Sequence, residues 1–252
     1  GIGGDLVELA RRCPVIGVDA DPRRVLMARL NCEALGAAPD GLAVADVTTL
    51  RLRDATVYVD PARRDASDRH SRRGEAYAPP LAFAIGLHRR VPGVAIKLGP
   101  AIDQDELPAD WEAEFVSAGG QCRECALYSQ PLASAQRRAT ILPAGDSLAG
   151  APGPRVPVAP PGAFVYDPDP AVVRAHLIDE LARRLDAWKL GPQVAYLSSS
   201  THRPSPFARG LRVLVVQPYQ PLPLRRLLAR EGWRPREIRK RHFPLTPEMV
   251  RQ

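Results

Sequence analysis

At 252 residues and 27.4 kDa, with 45% hydrophobic and 25% charged residues, the chain is long enough for one large domain or two modest ones with a proper core. Collagen-like repetition, disorder throughout and a disulfide-dense secreted scaffold are excluded, and no run approaches the roughly eighteen apolar residues of a membrane helix. The net charge of +7 is unevenly spread: residues 1–130 carry 16 Lys+Arg against 19 Asp+Glu, whereas from residue 200 onward the tally is 12 against 3. A mildly acidic body with a basic C-terminal module is the pattern of an enzyme with a polyanion-binding appendage. A solvated arginine-rich surface would give the same tally, so charge alone leaves both open.

The chain opens on Gly1-Ile2-Gly3-Gly4-Asp5 and runs into a helical pattern over Leu6–Arg12. This is a glycine-rich turn feeding a helix, where backbone N–H groups are available to a ligand. Short apolar runs at Val15–Asp19, Leu42–Asp46, Thr56–Asp60 and Val94–Leu98 read as buried parallel strands. Between the first two, Asp21–Gly36 has Asp21 as N-cap, Pro22 in the first turn and a closing glycine, the full signature of a helix. Pro80–Val91 reads as another. Alternation of this kind predicts an α/β, doubly wound sheet with ligand sites at the carboxyl ends of its strands. Three strands end in aspartate, Asp19, Asp46 and Asp60. One such residue commonly only makes a turn; three in register point to a site.

Asp19 follows Gly3 by 16 residues, close to the roughly 20-residue offset at which an acid meets a ribose hydroxyl pair. A dinucleotide fingerprint would place a third glycine at position 6, which is Leu6. S-adenosylmethionine carries no phosphate and does not need it.

Cys122 and Cys125 have C-x-x-C spacing, but Cys13 and Cys32 lie far off in sequence, so thiols in a hairpin are favoured over a zinc site. No cysteine stands near Asp60, which disfavours a cysteine nucleophile there. His88 and His176 fall in helical patterns and read as surface or packing residues. Ala144–Pro170 is dense in Pro, Gly and Ala and reads as a linker. Beyond it come a helix over Pro170–Trp188, strands Val194–Leu197 and Leu211–Val216, a helix Leu222–Glu231, a strand Arg236–Lys240 and a terminal helix after Pro247. Arg234, Arg236, Arg239, Lys240 and Arg241 cluster there with Trp233 and Phe243, a pattern suited to RNA. A core role for Trp233 is the alternative.

Through GIGGD, VIGVDADP, AVADV and VDPARR, and through AYLSSS, LRVLVVQP and REIRKRHFPLTPEMVRQ, the chain resembles the class I S-adenosylmethionine-dependent methyltransferases. The resemblance is to bacterial members with a THUMP-like C-terminal domain. It implies a Rossmann-like methyltransferase domain over 1–145, a linker over 146–169 and a small α+β THUMP-like domain over 170–252. It further implies that Gly1 and Gly3 line the methionine and ribose portion of the cofactor and that Asp19 accepts the ribose hydroxyls. Asp46 would accept from the adenine amino group, with the Val47 N–H beside it.

Asp60-Pro61-Ala62-Arg63 stands where amine and nucleobase methyltransferases carry Asp/Asn-Pro-Pro-aromatic, so Asp60 and Pro61 would grip the acceptor. Ala62 replaces the second proline and Arg63 the aromatic; a guanidinium also stacks on a base. Arg64, Arg69, Arg72 and Arg73 would hold substrate phosphates at the mouth of the site. Arg236, Arg239, Lys240 and Arg241 would bind RNA, either tRNA or rRNA, with no metal and no membrane partner. Three rival functions are a nucleotide-dependent oxidoreductase on the same fold class, against which Leu6 argues, a non-catalytic RNA-binding protein, and a methyltransferase of small molecules or proteins.

Family members carry a strand immediately before the glycine turn, and this chain begins at the turn. The expectation is an N-terminally truncated sequence whose sheet lacks its middle strand. With four cysteines, no signal-like leader and a first residue other than methionine, a reducing cytoplasm is expected.

Overall fold

The computed structural model describes residues 1–63, 73–240 and 243–251. The elements run α1 (Gly4–Ala10), β1 (Ile16–Asp19), α2 (Pro22–Ala34), β2 (Gly41–Val44), β3 (Val57–Val59), β4 (Ala62–Arg63), β5 (Tyr77–Ala78), α3 (Leu81–Gly86), β6 (Val94–Leu98), β7 (Glu112–Ala118) and β8 (Gln121–Tyr128). They continue through β9 (Arg137–Leu142), β10 (Asp146–Gly150), β11 (Phe164–Pro168), α4 (Pro170–Arg174), α5 (Ile178–Leu185), β12 (Trp188–Gly191), β13 (Val194–Ser199), β14 (Ala208–Arg212), α6 (Pro221–Glu231) and α7 (Pro247–Arg251). Two compact units result, Gly1–Val116 with Arg123–Gln136 and Ser117–Cys122 with Arg137–Gln252.

In the first unit β1 and β2 pair in parallel, Asp19 opposite Val44. A second ladder has the order β7-β8-β6-β3, with β3 parallel and β8 antiparallel to β6. Among the described residues no ladder joins β1 to β3, the place where the resemblance puts an interruption, and Ile16 and Val18 of β1 are exposed. The deepest packing lies on β6, where Val94 and Ile96 are fully buried with Leu127 and Phe115 of the neighbouring strands. Flanking glycines bound that apolar run, so β6 matches the predicted strand residue for residue. α2 also forms as expected, because the Asp21 carboxylate accepts from the Arg23 N–H at 2.9 Å and Pro22 starts the first turn. Pro80–Val91 is α3 followed by a 3₁₀ turn over Leu87–Arg89.

In the second unit β9 and β10 form a hairpin, and a four-stranded sheet has the order β12-β13-β11-β14. The stretch 146–169 contains β10 and β11 with irregular chain between them. The helix expected over 170–188 is instead two short helices. His176 takes a left-handed φ of 58° after α4, and the Leu177 N–H returns to the Val172 carbonyl at 3.1 Å, closing the first helix. Trp188 then begins β12. The strand expected at Leu211–Val216 lies earlier, at β14, because β11 pairs with Ala208–Arg212; Arg236–Lys240 forms no strand.

Candidate active site

The glycine turn is held in place by α2. Gly3 has φ 91°, and a Cβ there would lie 3.0 Å from both Cα and Cβ of Ala28, so only glycine allows the turn to seat against the helix. Asn31 Nδ2 donates to the Ile2 carbonyl at 2.8 Å and fixes the turn from the same helix. At the end of β1, Asp19 accepts from the Asp21 N–H at 2.9 Å, with an Arg24 guanidinium 4.0 Å away. Burial alone would raise its pKa. The Asp21 N–H and the Arg24 charge act the other way and favour its ionised form.

Asp46, two residues beyond β2, caps the 3₁₀ turn Val47–Thr49 by accepting from the Thr48 N–H and hydroxyl, each at 2.8 Å. Those bonds lower its pKa and use one oxygen, while the other has no partner among the described residues. Two carboxylates and a glycine turn at adjacent strand ends are the acceptors and backbone that a ribose diol and an exocyclic amine require, so the residues present fit an adenosyl cofactor.

Asp60 follows β3, and Pro61 is buried behind it, the backbone pinned where β4 pairs with β5. The register Val59↔Ile96 sets Asp60 beside Lys97 of β6. The Lys97 ammonium lies 3.7 Å from Asp60 Oδ2 and donates to Asp5 Oδ2 at 2.9 Å. Burial works against its charge, but Asp5 and Asp60 prevail and raise its pKa. Tyr58 is pushed up by burial and by the charges of Asp5 and Asp60. Glu124 on β8 is also raised, by burial and neighbouring carboxylates against the pull of Lys97.

Gly1, Gly3, Asp19, Asp46, Val47, Asp60 and Pro61 thus all sit in the first unit, on the turn or at the carboxyl ends of β1, β2 and β3. Arg63 contributes its backbone to β4; its side chain, together with Arg64, Arg69, His70 and Arg72, lies outside the described residues. Arg73 is exposed just before a 3₁₀ turn over Gly74–Ala76. In the second unit Arg236 is exposed, Arg239 pairs with Asp167 and Glu237, and Lys240 donates to the Phe243 carbonyl at 3.1 Å; Arg241 is outside the described residues. Trp233 is 37% exposed, so it is no core residue. Cys122 and Cys125 lie on β8, all four cysteines are thiols, and no group of metal-ligating side chains occurs among the described residues. No helix there is long and apolar enough to cross a membrane. Asp5, Lys97 and Glu124 are not singled out by the sequence, in which Lys97 is one residue within the apolar run Val94–Leu98.

Residues 208–252 match the THUMP domain-like family. Over 98% of its length the chain is 37% identical to an uncharacterised S-adenosylmethionine-dependent methyltransferase of Mycobacterium tuberculosis strain CDC 1551 / Oshkosh, of which it covers 68%. The same figures hold for the protein so described from strain ATCC 25618 / H37Rv. The chain belongs to the S-adenosylmethionine-dependent methyltransferases. The methyltransferase fold is seen again in the crystal structure of a putative methyltransferase from Porphyromonas gingivalis W83, with a TM-score of 0.74 at 21% identity, over 100% of this chain and 67% of that one.

Proposed function

We propose that this methyltransferase moves a methyl group from S-adenosylmethionine to a nucleobase of tRNA or rRNA by direct in-line attack, in the cytoplasm. The observation that carries the reading is the position of Asp60-Pro61 at the end of β3 beside Lys97, in the same unit as the glycine turn and Asp19 at the end of β1. When bound, the cofactor supplies a sulfonium whose methyl is already activated, so the protein's task is mainly positioning. Gly1 and Gly3 border its methionine and ribose portion. Asp19 accepts the ribose hydroxyls, and Asp46 with the Val47 N–H meets the adenine edge. The Asp60 carboxylate and the Pro61 carbonyl accept from the target amine and aim its lone pair, and Arg63 stacks on the base. Arg64, Arg69, Arg72 and Arg73 hold substrate phosphates.

The RNA assignment is supported by the basic excess from residue 200 onward and by the THUMP domain-like match over 208–252. Arg236, Arg239, Lys240 and Arg241 contribute to that RNA contact, through charge and hydrogen bonds to the backbone. The test is transfer of tritiated methyl from S-adenosylmethionine to RNA from a strain lacking the gene, followed by nucleoside analysis. The expected result is one methylated base, with incorporation by Asp60→Ala reduced at least a hundredfold. No incorporation into RNA, or an Asp60→Ala variant as active as the wild type, overturns the reading.

A further inference from the structure

Lys97 stands between two parts of the site that the chain brings from far apart. Asp5, its hydrogen-bond acceptor, directly follows Gly4 and lies 92 residues away in sequence. Asp60, its ion-pair partner, terminates the neighbouring strand. The ammonium has three donors and no preferred plane, so it donates to Asp5 while it stands within ion-pair range of Asp60.

Resting on the assignment of Asp60 as the acceptor-gripping carboxylate, we infer that Lys97 is a positioning residue that ties Asp60 to the glycine turn and so fixes the acceptor relative to the methyl donor. Without this cation, Asp5 and Asp60 would lose the ion pair they share and repel one another. Asp60 is half-exposed and would turn toward water. The cofactor contacts assigned to Gly1, Gly3, Asp19 and Asp46 do not involve the lysine, so its loss falls on the alignment of acceptor with donor. Displacement of a reacting group by about 1 Å can cost on the order of a hundredfold in rate.

The test compares Lys97→Met and Lys97→Arg in the complete protein, with RNA from a strain lacking the gene and saturating S-adenosylmethionine. Lys97→Met is expected to lower kcat at least tenfold while the Kd for S-adenosylmethionine, read by isothermal titration, stays within about threefold; Lys97→Arg, which keeps the cation, restores part of the rate. A kcat for Lys97→Met within twofold of wild type overturns the inference. So does a loss carried wholly in cofactor affinity. Should Lys97→Met fail to fold, Asp5→Asn breaks the same tie from its other end. It is expected to lower kcat three- to tenfold, and an unchanged kcat overturns the inference. An Asp60→Ala variant with full activity rejects the reading of Asp60 and this inference with it, whereas an inactive Asp60→Ala beside a fully active Lys97→Met rejects the lysine's role alone.

Discussion

Within the second unit, two stretches differ in what they do with their side chains. α4, α5, β11 and β13 supply its core: Tyr166, Val172, Leu177, Leu181, Leu185 and Leu197 are at most 2% exposed. From Ala208 onward none of the described residues is buried, although Leu214, Val216 and Leu222 are apolar and the region from residue 200 carries 12 Lys+Arg against 3 Asp+Glu. Burial and charge are segregated along the chain. The first stretch holds the unit together, while the second is a charged surface on which Arg209, Arg230 and Arg239 are ion-paired and Arg225, Arg226 and Arg236 are exposed.

The strongest challenge to that contrast is a cavity on the packed side. Leu181→Ala removes a side chain that is 1% exposed and is expected to cost about 3 kcal/mol, read by urea unfolding, with RNA affinity per folded molecule unchanged. On the charged side, Arg225, Arg226 and Arg236 are all exposed. Replacing the three by Ala is expected to weaken RNA binding about tenfold and flatten its logarithmic salt dependence by about 2. Unfolding free energy should move by no more than about 0.5 kcal/mol. If that variant unfolds easily, the basic stretch is structural and the contrast fails.

The smallest effect belongs to His176, between α4 and α5. Its pKa is lowered by burial and by the charges of Arg137 and Arg174, so the unfolded chain takes up its proton at a higher pH than the folded one. The stability its neutral form confers is present above about pH 6.5 and is lost as pH falls through the lowered folded value. His176→Asn keeps a residue tolerant of the left-handed φ. It is expected to remove a melting-temperature slope of about 1 °C between pH 7 and pH 5.5.

How much could be read in the sequence depended on range. β6 and α2 were legible because their determinants are local: glycines around an apolar run, and a capping aspartate before a proline. The break at His176 was not, since Val173, Leu177, Leu181 and Leu185 keep a helix-like spacing across it while the turn depends on one backbone angle. In the site, the aspartates at strand ends were legible from the alternation of elements. The partners of Asp60 were not, because Lys97 reads as one residue of an apolar strand until the fold brings Asp5 to it across 92 residues. The same holds for Arg239, which meets Asp167 across 72 residues. Pairing of charges at such separations leaves no trace in spacing.

The measurement that tests the central claim most directly sets the two functions against each other. Tritiated methyl transfer and RNA affinity are measured side by side, on RNA from a strain lacking the gene, for wild type, Asp60→Ala and the triple arginine variant. The account predicts that Asp60→Ala binds RNA within twofold of wild type and transfers almost no methyl. It also predicts that the arginine variant binds about tenfold more weakly yet regains full turnover at saturating RNA. Equal loss of RNA binding and of transfer in both variants, or undiminished transfer by Asp60→Ala, would contradict it.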